Sequence, residues 1–380
     1  MKKSKNVFRL GLTSFFTDVS SEMIFPILPL FLVNVLGAPM ALVGVIEGIA
    51  EGTASIMKTL FGWISDKVRK RKIFVAAGYS FSSVTKPFLA LATVWPHVLI
   101  VRFLDRFGKG IRTSPRDALI AESVKKKKRG KYFGMHRAMD TSGAIIGVLI
   151  AFFILSKYVE NYRLVFWLSF IPAVISVLII IFFVKEAKQI KKKFHIKFNG
   201  FNRNFKFLIA ASTIFSLGSL SYAFFILRAQ ELGVLVALIP LIYLVYNVVY
   251  AFFALPFGRL SDKIGRKNVL MIGYFVFGVM SLSFAFISDS LFAWFLFGIY
   301  GLSVAITETI GRTFISDLVQ SNKRATALGV YHTFVGLAIF PANFIGGYLW
   351  SAFNSSATFI YAAVMAFIAL ILLIIAVKER

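Results

Sequence analysis

Long apolar stretches broken by short polar ones run from end to end of the chain, and their length is the first clue. A helix needs about 20 mostly apolar residues to cross the hydrocarbon core of a bilayer. On that measure the pattern predicts twelve spans, at about 8–36, 41–64, 73–94, 97–121, 131–156, 163–184, 206–229, 234–259, 268–287, 290–317, 325–350 and 355–376. A β-barrel would show short alternating segments instead. The one extended polar interruption, KEAKQIKKKFHIKFNGFNRN at 185–204, divides the chain into halves at 1–184 and 206–380, joined by a basic linker at 185–205.

Composition agrees, with 58% hydrophobic residues and 43 phenylalanines among 380. The formal charge of +26 would suit nucleic acid only if it formed a soluble basic face, whereas the cations here lie in short runs between apolar segments. Alternate loops carry them: Lys2, Lys3 and Lys5; DKVRKRK at 66–72; KKKKRGK at 125–131; the linker; RLSDKIGRK at 259–267; Lys323 and Arg324; Lys378 and Arg380. GAPMA at 37–41, TVWPH at 93–97 and SDS at 288–290 carry almost none. The positive-inside rule therefore puts both termini in the cytoplasm, and the basic loops are expected to meet anionic lipid. Without cysteine, and with four scattered histidines, the chain offers no disulfide framework and no recognisable metal site, and no cofactor is expected. The basic start MKKSKNVFRL precedes an apolar run too long and too interrupted for a signal peptide, so it is read as part of the first span.

The halves repeat each other. GWISDKVRKRK, from Gly62, and GRLSDKIGRKN, from Gly258, share glycine, serine, aspartate and lysine at an offset of about 196. Glu122, Val124, Arg129 and Gly134 match Asp317, Val319, Arg324 and Gly329 at nearly the same offset. This pattern resembles the major facilitator superfamily, whose loop signature reads G-x-x-x-D-[RK]-x-G-[RK]-[RK]. Gly258, Asp262, Lys263, Gly265, Arg266 and Lys267 match it fully, while Gly62, Asp66 and Lys67 match with Arg69 where the second glycine belongs. The resemblance implies an all-α membrane protein of twelve transmembrane helices in two pseudo-symmetric six-helix bundles, acting as a monomer, with alternating access to a central cavity. It also implies that Asp66 and Asp262 are gate residues.

Ionisable groups inside a membrane are costly unless they pair or face water, so each is a functional candidate. In the first half these are Asp18 and Glu22, Glu47, Glu51 and Lys58, Lys86, then Asp105, Arg106, Lys109 and Arg112, and finally Arg137 and Asp140. In VRFLDRFGKGIRTSPRD, steps of three and four put Arg102, Asp105, Arg106, Lys109, Arg112 and Arg116 on one helix face, opposite Phe103, Leu104, Phe107 and Ile111. Arg106 and Gly110 are similar to a fourth-helix motif of proton-coupled members of the superfamily. Counting the helical rise from each span's entry places Asp18, Glu22, Glu51, Lys109 and Asp140 midway, and one of these carboxylates is expected to carry a coupling proton. A buried ion-pair lattice without transport chemistry is the structural alternative.

The second half has few central charges and many tyrosines: Tyr222, Tyr243, Tyr246, Tyr250 and Tyr300, with Asn247 among them. They suggest an aromatic, hydrogen-bonding wall. GAIIG at 143–147 is a small-residue packing surface, but the fifth helix lacks the proline of the superfamily's antiporter motif. No phosphate-binding G-x-x-x-x-G-K-[ST] loop occurs, and no enzyme constellation can be assembled, which leaves membrane enzyme and channel as the weaker alternatives. The expected function is proton-coupled secondary transport of a polar or charged small molecule, with multidrug-type efflux of amphipathic or cationic compounds as the alternative.

Overall fold

The computed structural model describes residues 2–68, 70–124, 129–186, 202–320 and 324–377. Arg69, Lys323, Lys378, Arg380, most of the 125–131 run and residues 187–201 of the 185–205 linker lie outside the described residues. No strand occurs among those described. The helices are α1 (Lys2–Ile24), α2 (Leu28–Leu30), α3 (Met40–Val68), α4 (Arg71–Ala90), α5 (Trp95–Glu122), α6 (Arg129–Lys157) and α7 (Tyr162–Phe183). They continue with α8 (Arg203–Gly218), α9 (Tyr222–Glu231), α10 (Ile239–Ile264), α11 (Arg266–Phe286), α12 (Ser290–Asp317), α13 (Arg324–Ala352) and α14 (Ser355–Ala376).

Two of the twelve spans are broken helices. Proline has no N–H and disfavours a helical residue before it, so Pro26 interrupts the first span between α1 and α2; Pro29 sits in the first turn of α2, and a π-helical turn, Phe31–Val35, follows. The seventh breaks at Ser219–Ser221, between α8 and α9, where Ser221 caps α9 by accepting from Ala223 N. Ten spans are long and apolar enough to cross a membrane on composition alone. The other two, α4 and α5, have the length, but Arg71, Lys72 and Lys86 charge the first and the basic stripe charges the second. Large apolar side chains such as Phe153, Phe182, Phe252, Phe286 and Ile375 point outward, as lipid-facing positions must in a membrane protein.

The chain forms two compact units. One comprises Met1–Ala38, Ile49–Lys193 and Val236–Leu241, and the other Pro39–Gly48, Phe194–Leu235 and Ile242–Arg380. In the first, α1 packs on α6 and α7, and α4 on α5 and α7; in the second, α8 packs on α13 and α14, and α11 on α12 and α14. The same four pairings recur.

Glycine makes several of them possible. A Cβ on Gly143 or Gly147 of α6 would strike the α1 carbonyls of Phe15 or Val19, and one on Gly78 of α4 would stand 2.6 Å from the Gly108 carbonyl of α5. Backbones at that separation bring the polar stripe of α5 close to its neighbours.

Candidate functional site

Four buried cations form the base of the first unit's interior. Lys86, Arg102, Arg106 and Arg112 are all under 10% exposed, at 3%, 2%, 2% and 7%. The expected carboxylates surround them and stay partly accessible. Glu51 pairs with Arg106 at 3.0 Å, its side chain 33% exposed against 2% for the arginine. The break after α1 supplies a further support, because Phe25 lies there with the Arg106 guanidinium 4.7 Å and the Arg102 guanidinium 5.4 Å from its ring centroid. Arg112 instead lies 4.3 Å from the Tyr79 ring. Asp105 accepts from Ser82 Oγ, and Lys109 sits in the fields of Arg106, Glu51, Arg112 and Asp18. Glu22 faces Asp18 and Lys86 from α1.

A second cluster joins α1, α5 and α6. Asp140 Oδ1 accepts from Ser14 Oγ at 2.6 Å, and Asp140 Oδ2 accepts from Arg137 at 3.2 Å. Arg116 of α5 donates to the same Ser14 hydroxyl at 3.2 Å. Asp18, one turn along α1 from Ser14, lies beside Asp140, near enough for the two carboxyl groups to share a hydrogen bond. Two carboxyl groups can share a hydrogen bond only with a proton between them, since an ionised carboxylate has acceptors and no donor. This contact brings together two residues that lie 122 positions apart in sequence.

Glu47 departs from this set. It is 1% exposed and accepts from Ser221 Oγ at 3.1 Å, at the cap of α9, within the second compact unit.

The tyrosines of the second half do assemble. Tyr246 stacks on Tyr300 with centroids 4.7 Å apart, and Tyr300 stacks on Phe225 at 4.3 Å. Tyr243 and Tyr250 flank Tyr246 at 5.6 and 6.4 Å, and Tyr222 reaches Tyr243 at 5.4 Å. Interplanar angles of 17–30° run from Phe225 through Tyr300 to Tyr246 and its two neighbours, a near-parallel ladder. Asn247, between its rungs, donates back to the Tyr243 carbonyl at 3.3 Å.

The repeated loops carry matching clamps. Arg71 holds Asp66 at 2.6 Å, Glu122 at 3.0 Å and Ser65 Oγ at 3.1 Å, while Ser65 donates to the Gly62 carbonyl. Arg266 holds Asp262 at 2.5 Å, Asp317 at 3.2 Å and Ser261, while Ser261 donates to the Gly258 carbonyl. Next in sequence, Lys72 caps the end of α7 at the Ile181 carbonyl and Lys267 caps the end of α14 at Ile374, both at 2.9 Å. Lys67 has another role, 5.4 Å from the Trp63 ring, and Lys263 lies exposed beyond Asp262. The sequence pattern marked Asp66 but not Arg71; the signal was available in its counterpart, Arg266.

The superfamily's sequence profile, Major Facilitator Superfamily, matches residues 10–227 and 207–380. The chain belongs to the major facilitator superfamily. An uncharacterized MFS-type transporter of Methanocaldococcus jannaschii, MJ1317, is 44% identical over 98% of this chain and 94% of its own. A probable 4-methylmuconolactone transporter of Cupriavidus pinatubonensis is 24% identical over 79% of this chain and 73% of that one. Among solved structures, a mutant form of the nucleoside transporter NupG has a TM-score of 0.85 at 15% identity, covering 98% of this chain and 100% of that one. A bacterial homolog of the human lysosomal transporter Spinster gives 0.80 at 16%, over 97% and 96%. The expected fold class therefore holds: this is a multi-pass membrane transporter of the superfamily's two-bundle fold.

Proposed function

We propose that the chain is a proton-coupled secondary active transporter for a polar or charged small molecule, and that Asp18 and Asp140 together hold the coupling proton. The observation that carries this is the approach of two carboxyl groups across α1 and α6, flanked by Ser14, Arg116 and Arg137. Separating the pair frees its proton to leave, because each carboxylate then has a cation or hydroxyl to receive it: Arg137 and Ser14 for Asp140, and the nearby Lys109 for Asp18. Glu51, Arg106, Lys109 and Arg112, with Glu22 and Asp105, form the polar ground beside the pair. In the second half the partly exposed Tyr222, Tyr246, Tyr250 and Asn247 offer stacking and hydrogen bonding to the solute, backed by the buried Tyr243 and Tyr300.

In this reading the bundles at 1–184 and 206–380 move as the two bodies of an alternating-access cycle in the cell membrane, as a monomer with both termini cytoplasmic and basic loops on anionic lipid. Gly62, Asp66 and Lys67, and Gly258, Asp262, Lys263 and Arg266, act at its gates. A second reading, efflux of amphipathic or cationic compounds, has support in a multidrug resistance protein, MdtH, of Photorhabdus laumondii, 22% identical over 86% of this chain. The test reconstitutes the protein in vesicles enclosing a pH-sensitive dye and adds organic acids, nucleosides and cationic dyes in turn. One class is expected to drive a proton flux that Asp18→Asn and Asp140→Asn abolish while solute-induced thermal stabilisation persists. Solute movement with no proton flux would refute coupling, and a flux confined to the cationic dyes would favour efflux.

A further inference from the structure

Between α1, α4 and α5 lies a small chamber of about 10 Å³, lined by neither Asp18 nor Asp140. Its lining combines polar groups, Ser21, Thr85, Lys86, Arg102 and Asp105, with apolar ones, Ile24 and Leu89 among them. That volume is about what one water molecule needs. The occupant must satisfy the charges around it.

Lys86 is 3% exposed and carries three N–H donors, yet its hydrogen-bond acceptors are two neutral hydroxyls, Ser20 Oγ and Ser21 Oγ, the latter at 3.1 Å. Asp105 lies across the chamber with one carboxylate oxygen taken by Ser82. A buried ammonium with a third donor and a half-buried carboxylate with spare lone pairs border a water-sized space that one bridging group fits.

We propose that the chamber is an internal hydration site, in which one water accepts from the Lys86 ammonium and donates to the Asp105 carboxylate. The water joins α4 to α5 beneath α1 through a buried ammonium-water-carboxylate bridge. It also makes the pair proton-exchanging. When one proton passes from Nζ to the water and another from the water to the carboxylate, the products are an amine and a carboxylic acid, with the water regenerated, one proton moved from Lys86 to Asp105 and the pair's total charge unchanged. Arg102 and Arg112 of α5 and Asp18 and Glu22 of α1 surround this exchange and set its balance.

The test is proton-detected solid-state NMR on protein labelled with ¹⁵N-lysine in liposomes. The Lys86 Nζ signal is assigned by its loss in Lys86→Arg or, should that variant not fold, by its contact with ¹³C-labelled Thr85. The wild type is expected to show a cross-peak from Lys86 Nζ to water protons, and Ile24→Phe, which fills the chamber from its apolar lining, is expected to lose it. Absence of the cross-peak in wild type overturns the proposal, as does its survival in folded Ile24→Phe. Neither result depends on identifying a transported solute, so failure here leaves the transport proposal standing or falling by its own flux measurement.

Discussion

The two halves share their helix pairings and differ in what holds their interiors together. The first unit buries guanidinium and ammonium groups against carboxylates, hydroxyls and the Phe25 and Tyr79 rings, while the second builds a near-parallel ladder of Phe225, Tyr300, Tyr246, Tyr243 and Tyr250. A duplicated scaffold fixes where helices meet, and leaves the chemistry of the facing side chains free to diverge. The clamp loops show the same freedom at smaller scale. From Asp66 to Arg71 the first loop is one residue longer than the second, from Asp262 to Arg266, yet the two arginines bind equivalent partners. In the shorter loop Gly265 turns the chain at φ 96°, where a side chain is strained; in the longer one Lys70 enters α4 with an ordinary extended φ of −132°.

Breaking the charged interior should cost most. Arg106→Ala leaves Glu51 beside an emptied buried site and is expected to destabilise the first half by about 3–5 kcal/mol. Adding Glu51→Gln should recover part of that, as read in thermal unfolding of purified protein in detergent. In the second half, Tyr300→Ala removes two stacked contacts and should cost about 1–3 kcal/mol, with Tyr300→Phe nearly neutral because the ring pairs survive. If the alanine variant were as harmless as the phenylalanine one, the ladder would be incidental packing.

The loops sharpen the contrast at lower energy. Gly265→Ala should cost about 1–2 kcal/mol, since it forces a Cβ into the left-handed region, whereas Lys70→Gly should change stability by less than about 1 kcal/mol. Equal effects at the two positions would mean that the extra residue does not replace the glycine. The clamp arginines differ least: Arg71, 9% exposed with Glu122 at 13%, should lose about 1 kcal/mol more on mutation to lysine than Arg266, 21% exposed with Asp317 at 49%. Differential scanning fluorimetry of the two variants gives that difference.

Much of this was legible in the chain. Apolar run length marked the twelve spans, and the basic α5 stripe at steps of three and four announced a buried polar face. The loop repeat disclosed the duplication, and with it the superfamily. What the pattern could not show is which charges meet. Asp18 and Asp140 lie 122 residues apart, and their contact depends on how closely Gly143 and Gly147 let α6 approach α1. Nor could periodicity tell that Phe25 would leave the helix at Pro26 and carry two guanidinium groups, or that Glu47 would face Ser221 rather than the arginine stripe. Arg69 stands opposite the second glycine only if the two loops are of equal length. The two Arg clamps show the one-residue insertion that removes the need for it.

The central claim concerns one proton between two carboxyls, and infrared difference spectroscopy on protein in lipid film observes it directly as a carboxylic-acid C=O band. The account predicts a band common to the pair, lost in Asp18→Asn and equally lost in Asp140→Asn, while Glu51→Gln leaves it in place. A band that survives either aspartate substitution in folded protein, or that vanishes with Glu51 instead, would contradict it.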